Sequence, residues 1–241
     1  MLRTIINIEC EEENISNFIH FSYLNYIFAK SHDGDFVIPY LDKNCEIYQI
    51  LNKTIISDDK ILKEIPQDIL DRHRDYLIEK GKAFKENNDI YILSSKENGF
   101  NDYYDKNSMI FMEKETKIYI YQNNKYTFEF LNVLSEHFNY VTHKIRSKKQ
   151  IEHTLKEVNF FREFNWITPG YAHIEPIKIK ADKDEIVKFY KNLDSLSKIY
   201  DYIIDVSIKD ECKDKYKKDN LCIENCFVLK DLKNKDMSLN I

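Results

Sequence analysis

A run of cations stands where a strand should hand over to a helix. Lys144, Arg146, Lys148 and Lys149 flank Ser147, and Lys178, Lys180 and Lys183 repeat the arrangement further along. Cations at such a junction suit an anion, and a helix N-terminus adds unpaired N–H groups and the positive end of its dipole. If the two strands run parallel, both groups lie at the carboxyl edge of one sheet, where open α/β layers bind ligands. The chemistry expected of Lys144, Arg146, Ser147, Lys148, Lys149, Lys178, Lys180 and Lys183 is therefore contact with phosphate or a nucleic-acid backbone. Lysine is abundant throughout the chain, so the same residues would also serve as solvated ends.

Other constellations invite chemistry and are weaker. His173 and Glu175 lie two apart on an expected strand and share a face. With His137 and His143 they could hold a catalytic zinc, but no H-E-x-x-H accompanies them, and ordinary histidines are expected. Cys212, Cys222 and Cys226 cluster late in the chain without a nearby histidine, so free thiols are expected. Asp105 with Glu115-Thr116-Lys117 has the D…E-x-K order of metal-dependent nucleases. Here the E-x-K falls at a turn between strands, where carboxylate and lysine do not converge. Arg72-His73-Arg74 is interleaved with Asp68, Asp71, Asp75 and Glu79, which suits a salt-bridged helix face better than DNA. His32-Asp33-Gly34-Asp35 is a turn that needs no ion.

Whole reaction classes are excluded by a shortage. The chain has four glycines, Gly34, Gly81, Gly99 and Gly170, each alone. Glycine lets backbone approach a phosphate closely or take φ > 0. No G-x-G-x-x-G, G-x-x-x-x-G-K-[ST] or G-x-S-x-G occurs. No metal or cofactor is expected.

The composition is globular. Of 241 residues, 43% are hydrophobic and 32% charged, enough to build a core without disulfides. The net charge of −5 gives no global pull toward nucleic acid, so such binding must come from a local patch. No apolar run approaches the roughly 18 residues of a membrane span. Met1–Ile8 runs into Glu9 and Glu11–Glu13, unlike a signal peptide. Five scattered cysteines suit a reducing, cytoplasmic compartment. Lys, Ile, Asn and Tyr are abundant while Ala, Gly, Pro and Arg are scarce, the mark of an AT-rich coding genome.

The elements that must position these residues follow from hydrophobic period. A strand is expected over 2–9. A helix over 15–30 carries Ile15, Phe18, Ile19, Tyr23, Tyr26 and Ile27 on one stripe. After Asp33-Gly34 comes a strand over 36–41. Helices are expected over 45–52 and 58–65, then a third bounded by Pro66 and Gly81. A hairpin over 82–93 turns at Asn87-Asn88. The order helix, glycine, strand, turn, strand resembles the end of winged-helix domains.

Beyond a polar boundary at Ser94–Ser108, strands are expected over 109–113 and 117–122, with Asn123-Asn124 turning the chain. A helix over 127–138 and a strand over 139–146 follow. Ser147 and Gln150 then read as a capping box. A strand over 171–180, a helix carrying Ile186, Tyr190, Leu193 and Leu196, and a strand over 201–209 complete the pattern. The expected fold class is α/β (or α+β). A mixed 1–98 part, winged-helix-like at 45–93, precedes an alternating α/β part over 107–210 and an extension over 211–241.

With no catalytic motif in place, the expected function is non-catalytic: an intracellular binding or regulatory protein, such as a viral or mobile-element inhibitor. Its expected partner is a protein or ribonucleoprotein, with phosphate contact at the lysines and no membrane. The alternatives are a metal-dependent nuclease or hydrolase and a winged-helix DNA binder. The oligomeric state is open.

Overall fold

The computed structural model describes residues 1–6, 15–38, 62–102, 109–112, 114–174, 178–180, 188, 192 and 238–240. In chain order the elements used below are β1 (Arg3–Ile5), α1 (Ile15–Lys30), β2 (Asp35–Val37), α2 (Gln67–Glu79), β3 (Ala83–Glu86) and β4 (Asp89–Leu93). They continue with β5 (Phe100–Asn101), β6 (Met109–Ile110), β7 (Lys117–Gln122), β8 (Lys125–Tyr126), α3 (Phe128–Phe138) and β9 (His143–Ser147). The last are α4 (Ile151–Glu163), β10 (Gly170–Ile174), β11 (Lys178–Lys180) and β12 (Ser238–Asn240). The chain divides into two compact units. One comprises Met1–Leu62, His143–Lys148 and Ile174–Ile241, the other Lys63–Thr142 and Lys149–His173.

The first unit is built on parallel pairing. β1 and β2 run parallel with Arg3↔Asp35, Thr4↔Phe36 and Ile5↔Val37 in register. β9 lies parallel on the other side of β1, with Thr4 opposite His143. Parallel neighbours need a crossover, and α1 supplies it between β1 and β2. The expected one-sided stripe on α1 is exceeded: from Ile19 to Asn25 every residue is buried, His20, Ser22 and Asn25 included. A helical stretch buried all round, as over Ile19–Asn25, belongs inside a layered fold. The turn after it places Asp33 at φ 50°. A Cβ on Gly34 would lie 2.7 Å from the Leu2 carbonyl, so only glycine fits there.

The second unit is an antiparallel sheet, β3-β4-β7-β8, covered on one face by helices. Its core joins Ala83, Ile90, Ile92, Ile118 and Ile120 of the sheet to Leu70 and Leu77 of α2, Phe130, Val133 and Leu134 of α3, and Phe160 and Phe161 of α4. Each large apolar side chain so buried contributes about 1.5–3 kcal/mol. The local signals act where expected. Pro66 precedes α2, and Gly81, at φ 68°, follows it. Asn123 and Asn124, at φ 53° and 61°, make the two-residue turn between β7 and β8. Positive φ at both positions matches the twist of the flanking strands.

The α/β class expected from the sequence is the class observed, a parallel sheet and an antiparallel sheet with helices. Several local expectations change. The hairpin of β3 and β4 forms one edge of a four-stranded sheet, with β3 outermost and β4 pairing onward to β7 across Tyr91↔Tyr119 and Ile92↔Ile118. Ser147 ends β9. A 3₁₀ turn, Lys148–Gln150, intervenes, and α4 starts with Gln150 at its N-cap and no side-chain cap bond. The strand expected over 171–180 is two strands, β10 and β11. The helix expected over 45–52, the strand over 201–209 and all five cysteines lie outside the described residues, as does the helix expected over 186–196 apart from residues 188 and 192. Among the described residues no helix is long and apolar enough to cross a membrane.

Candidate functional site

The order β2–β1–β9 reverses the direction of winding at β1. In open α/β sheets such a reversal leaves a crevice at the carboxyl ends of the two strands it separates, and ligands bind there. Here β1 and β2 pair over three positions, and among the described residues β1 and β9 pair at Thr4↔His143. Beyond that pair the carboxamide of Asn25, from α1, takes both main-chain groups of Ile145. Its Nδ2 donates to the Ile145 carbonyl at 2.8 Å, and the Ile145 N–H donates to its Oδ1 at 3.0 Å. A carboxamide carries the donor and acceptor of a peptide unit, so it can occupy a neighbouring strand's place. Thr4 Oγ1 donates to the Asn25 carbonyl at 3.0 Å and fixes the helix against β1. The carboxyl ends of β1 and β9 are the candidate site.

The expected cationic residues divide around this crevice. Lys144 and Arg146 lie on β9 and are buried, with 1% and 3% of their surface exposed, and neither is without an interaction there. Ser147 is buried at the carboxyl end of the strand; Lys148 is half-buried just beyond it, and Lys149 is exposed. Lys178 and Lys180 sit on β11, which pairs in parallel with β12 in a separate two-stranded sheet. Lys183 lies outside the described residues. Only the first group therefore sits on β9 and at its end.

The remaining candidates each have their own surroundings. His143 packs its ring against Phe28, 5.6 Å between centroids. Burial, then the charge of His32, holds its pKa below the usual value. His137 stacks on Trp166 at 3.6 Å with the planes 4° apart. His173 is buried against Asp102, Nδ1 to Oδ2 2.6 Å, and its Nε2 meets Thr154 Oγ1 at 2.9 Å. Glu175 lies outside the described residues. No group of three potential metal ligands occurs among the described residues. Arg74 bonds Asp71, Asp75 and the Tyr126 hydroxyl, and Arg72 faces Asp68, the salt-bridged helix face the sequence suggested.

Sequence reasoning missed three buried features. Asn25 had a signal, a carboxamide inside an otherwise apolar helical run, Tyr23-Leu24-Asn25-Tyr26-Ile27. The Asp102–His173–Thr154 chain had none, since Asp102 and His173 are 71 residues apart. His20, 1% exposed on α1, also gave no signal. Burial holds its pKa at about 3, so it is neutral at ordinary pH.

No protein-family model matches the chain. Over 208 residues it is 25% identical to a glutamate–tRNA ligase from Acholeplasma laidlawii, an alignment that takes in 74% of this chain and 45% of that protein. Over 62 residues it is 31% identical to the mitochondrial glutamate–tRNA ligase of Schizosaccharomyces pombe, covering 26% of this chain and 12% of that one. Among solved structures it is similar to a glutamate–tRNA synthetase from Elizabethkingia anophelis, with TM-score 0.48, 15% identity, and 75% and 51% of the two chains covered. The aligned part spans less than half of either ligase. These relatives overturn the expected non-catalytic regulator or inhibitor: they are enzymes, and glycine-poor sequence was no guide to that. The expected nucleic-acid contact is compatible with relatives that act on tRNA; the expected protein partner finds no support in them.

Proposed function

We propose that this chain is a glutamate–tRNA ligase-like protein that binds tRNA and an amino acid and consumes a nucleoside triphosphate to join them. The observation that carries the reading is the alignment over 208 residues with the Acholeplasma laidlawii ligase, which takes in most of this chain. The crevice between β1 and β9 supports it. A nucleotide bound to an open parallel sheet lies at the carboxyl ends of the strands, beside Ser147 and Lys148. There Lys148 would offer its charge to phosphate oxygens. The Asn25 carboxamide, by holding Ile145, would keep the rim of the crevice fixed.

The test is attachment of labelled glutamate to tRNA by the purified chain with ATP. Acid-precipitable glutamate that depends on ATP and on tRNA is the expected result. In the Lys148→Glu variant the KM for ATP should rise, because a repelling charge replaces an attracting one. Folded protein that charges no tRNA and binds none would overturn the reading.

A further inference from the structure

The antiparallel sheet of the second unit has one covered face and one bare one, and the bare face carries aromatic rings in register. Phe84 on β3 lies opposite Tyr91 on β4, and Tyr91 lies opposite Tyr119 on β7. The ring centroids step across the three strands at 5.9 Å and 5.9 Å. Phe84 is 44% exposed, and the two tyrosines are half-buried. Lys117, one cross-strand position along, holds its ammonium 4.5 Å from the centre of the Tyr91 ring. Glu86 forms an ion pair with that ammonium and so fixes it beside the middle of the ladder.

The core of the unit is on the other face, and Phe84 leaves much of its ring in water. Cross-strand ring pairs steady the sheet, but the exposed faces of the rings are left available to a ligand. An antiparallel sheet with helices behind it and two or three aromatic side chains in front is a surface on which unpaired bases stack. Stacking tolerates any base, since each presents a π-face, and a nearby cation meets the connecting phosphate. Lys117 belongs to the E-x-K triplet that suggested a nuclease. Its neighbours are rings, not carboxylates gathered on a metal.

We infer that the Phe84–Tyr91–Tyr119 ladder with Lys117 is a docking surface for an unpaired RNA strand. The choice of RNA rests on the ligase-like reading above, since the relatives act on tRNA. The rings set the occupant's class: flat bases splayed along the row, with Lys117 on the backbone. A double-stranded helix keeps its bases stacked inside and has none to offer.

The experiment measures fluorescence anisotropy of a short labelled oligoadenylate with the full chain, and competition by unlabelled duplex RNA of the same length. The wild-type chain should bind the single strand and yield poorly to the duplex. Tyr91→Ala should weaken binding roughly tenfold, while Tyr91→Trp retains it. Lys117→Ala should flatten the salt dependence. Phe84→Ala, at a largely exposed position, should weaken binding while leaving the thermal midpoint in place, and it decides the matter if Tyr91→Ala does not fold. Wild-type affinity in both Tyr91→Ala and Phe84→Ala, or equal competition by duplex, would overturn the inference. A chain that joins glutamate to tRNA but ignores oligoadenylate loses the ladder alone. A chain that holds oligoadenylate through Tyr91 yet neither charges nor binds tRNA loses the ligase-like reading alone.

Discussion

The Asn25 side chain and the Ile145 backbone are 120 residues apart in sequence and close a reciprocal pair of hydrogen bonds inside the first unit. Asn25 is fully buried, and its Nδ2 also donates to the Phe21 carbonyl at 2.8 Å. One carboxamide thus ties α1 to β9 next to the crevice. Asn25→Leu keeps the volume but leaves a buried N–H and a buried C=O without partners, at about 1–3 kcal/mol for each group. The urea midpoint should fall accordingly. Asn25→Gln, which has the same groups on a longer stem, should recover little, because the site fixes their position. A midpoint unchanged in Asn25→Leu would show that β9 does not depend on this bond.

Trp166 is the only tryptophan, and His137 lies flat against it. Burial, then the positive charge of His73, lowers the pKa of His137. The folded state therefore takes up this proton less readily than the unfolded chain, whose value is 6.5. Stability from this group is complete above pH 6.5 and declines as pH falls below it, until the folded pKa is reached. Tryptophan emission should change as His137 gains charge, with a midpoint below 6.5. His137→Gln should abolish that transition, and its persistence would assign the signal elsewhere.

Glu129 on α3 shows the opposite sign. Burial by itself would raise its pKa, but the hydrogen bond with His153 at 3.0 Å, a backbone bond and the charge of Lys156 outweigh it and hold the carboxyl at about 2. Its contribution is present above the ordinary carboxylate value and is lost as pH falls toward 2. His153 is 39% exposed in its side chain, so the screened figure is on the order of 2 kcal/mol. Glu129→Gln should lower the melting temperature at pH 7 and flatten the acid limb of the stability curve. Equal acid limbs in both proteins would remove Glu129 from the account.

The Asp102–His173–Thr154 chain has the order of a hydrolase triad but no access to water: its members are 3%, 1% and 0% exposed. Thr154 Oγ1 also bonds the Gln150 carbonyl at 3.1 Å, which ties the start of α4 to β10. Its role is structural. Thr154→Val should cost about 1–3 kcal/mol by denaturant titration, and Thr154→Ser considerably less. A Thr154→Val protein as stable as wild type would contradict this.

Gly99 is a steric requirement. A Cβ there would lie 2.3 Å from the Ile110 carbonyl, and Arg162 from α4 donates to the Gly99 carbonyl at 2.7 Å. Gly99→Ala must push β5 and β6 apart. A loss of about 2 kcal/mol or more in unfolding free energy is expected, whereas Gly81→Asn, in open space at φ 68°, should cost less.

The sequence by itself determined the elements whose causes are local. Pro66 and Gly81 bound α2, Asn87 and the Asn123-Asn124 pair turn the hairpins, and alternation in Ile90–Leu93 and Lys117–Gln122 marks strands, because dihedral preference and hydrophobic period act within a few residues. Tertiary structure alone decided the rest. Whether Arg146 faces water or core, whether Ser147 caps a helix or ends a strand, and which strand Asn25 serves depend on partners up to 120 residues away, and local pattern carries no term for them. The same holds for the aromatic ladder. Phe84, Tyr91 and Tyr119 are ordinary alternating strand residues until register sets them side by side. Register is fixed by burial of the opposite face, and a shift of one residue would have turned all three rings inward.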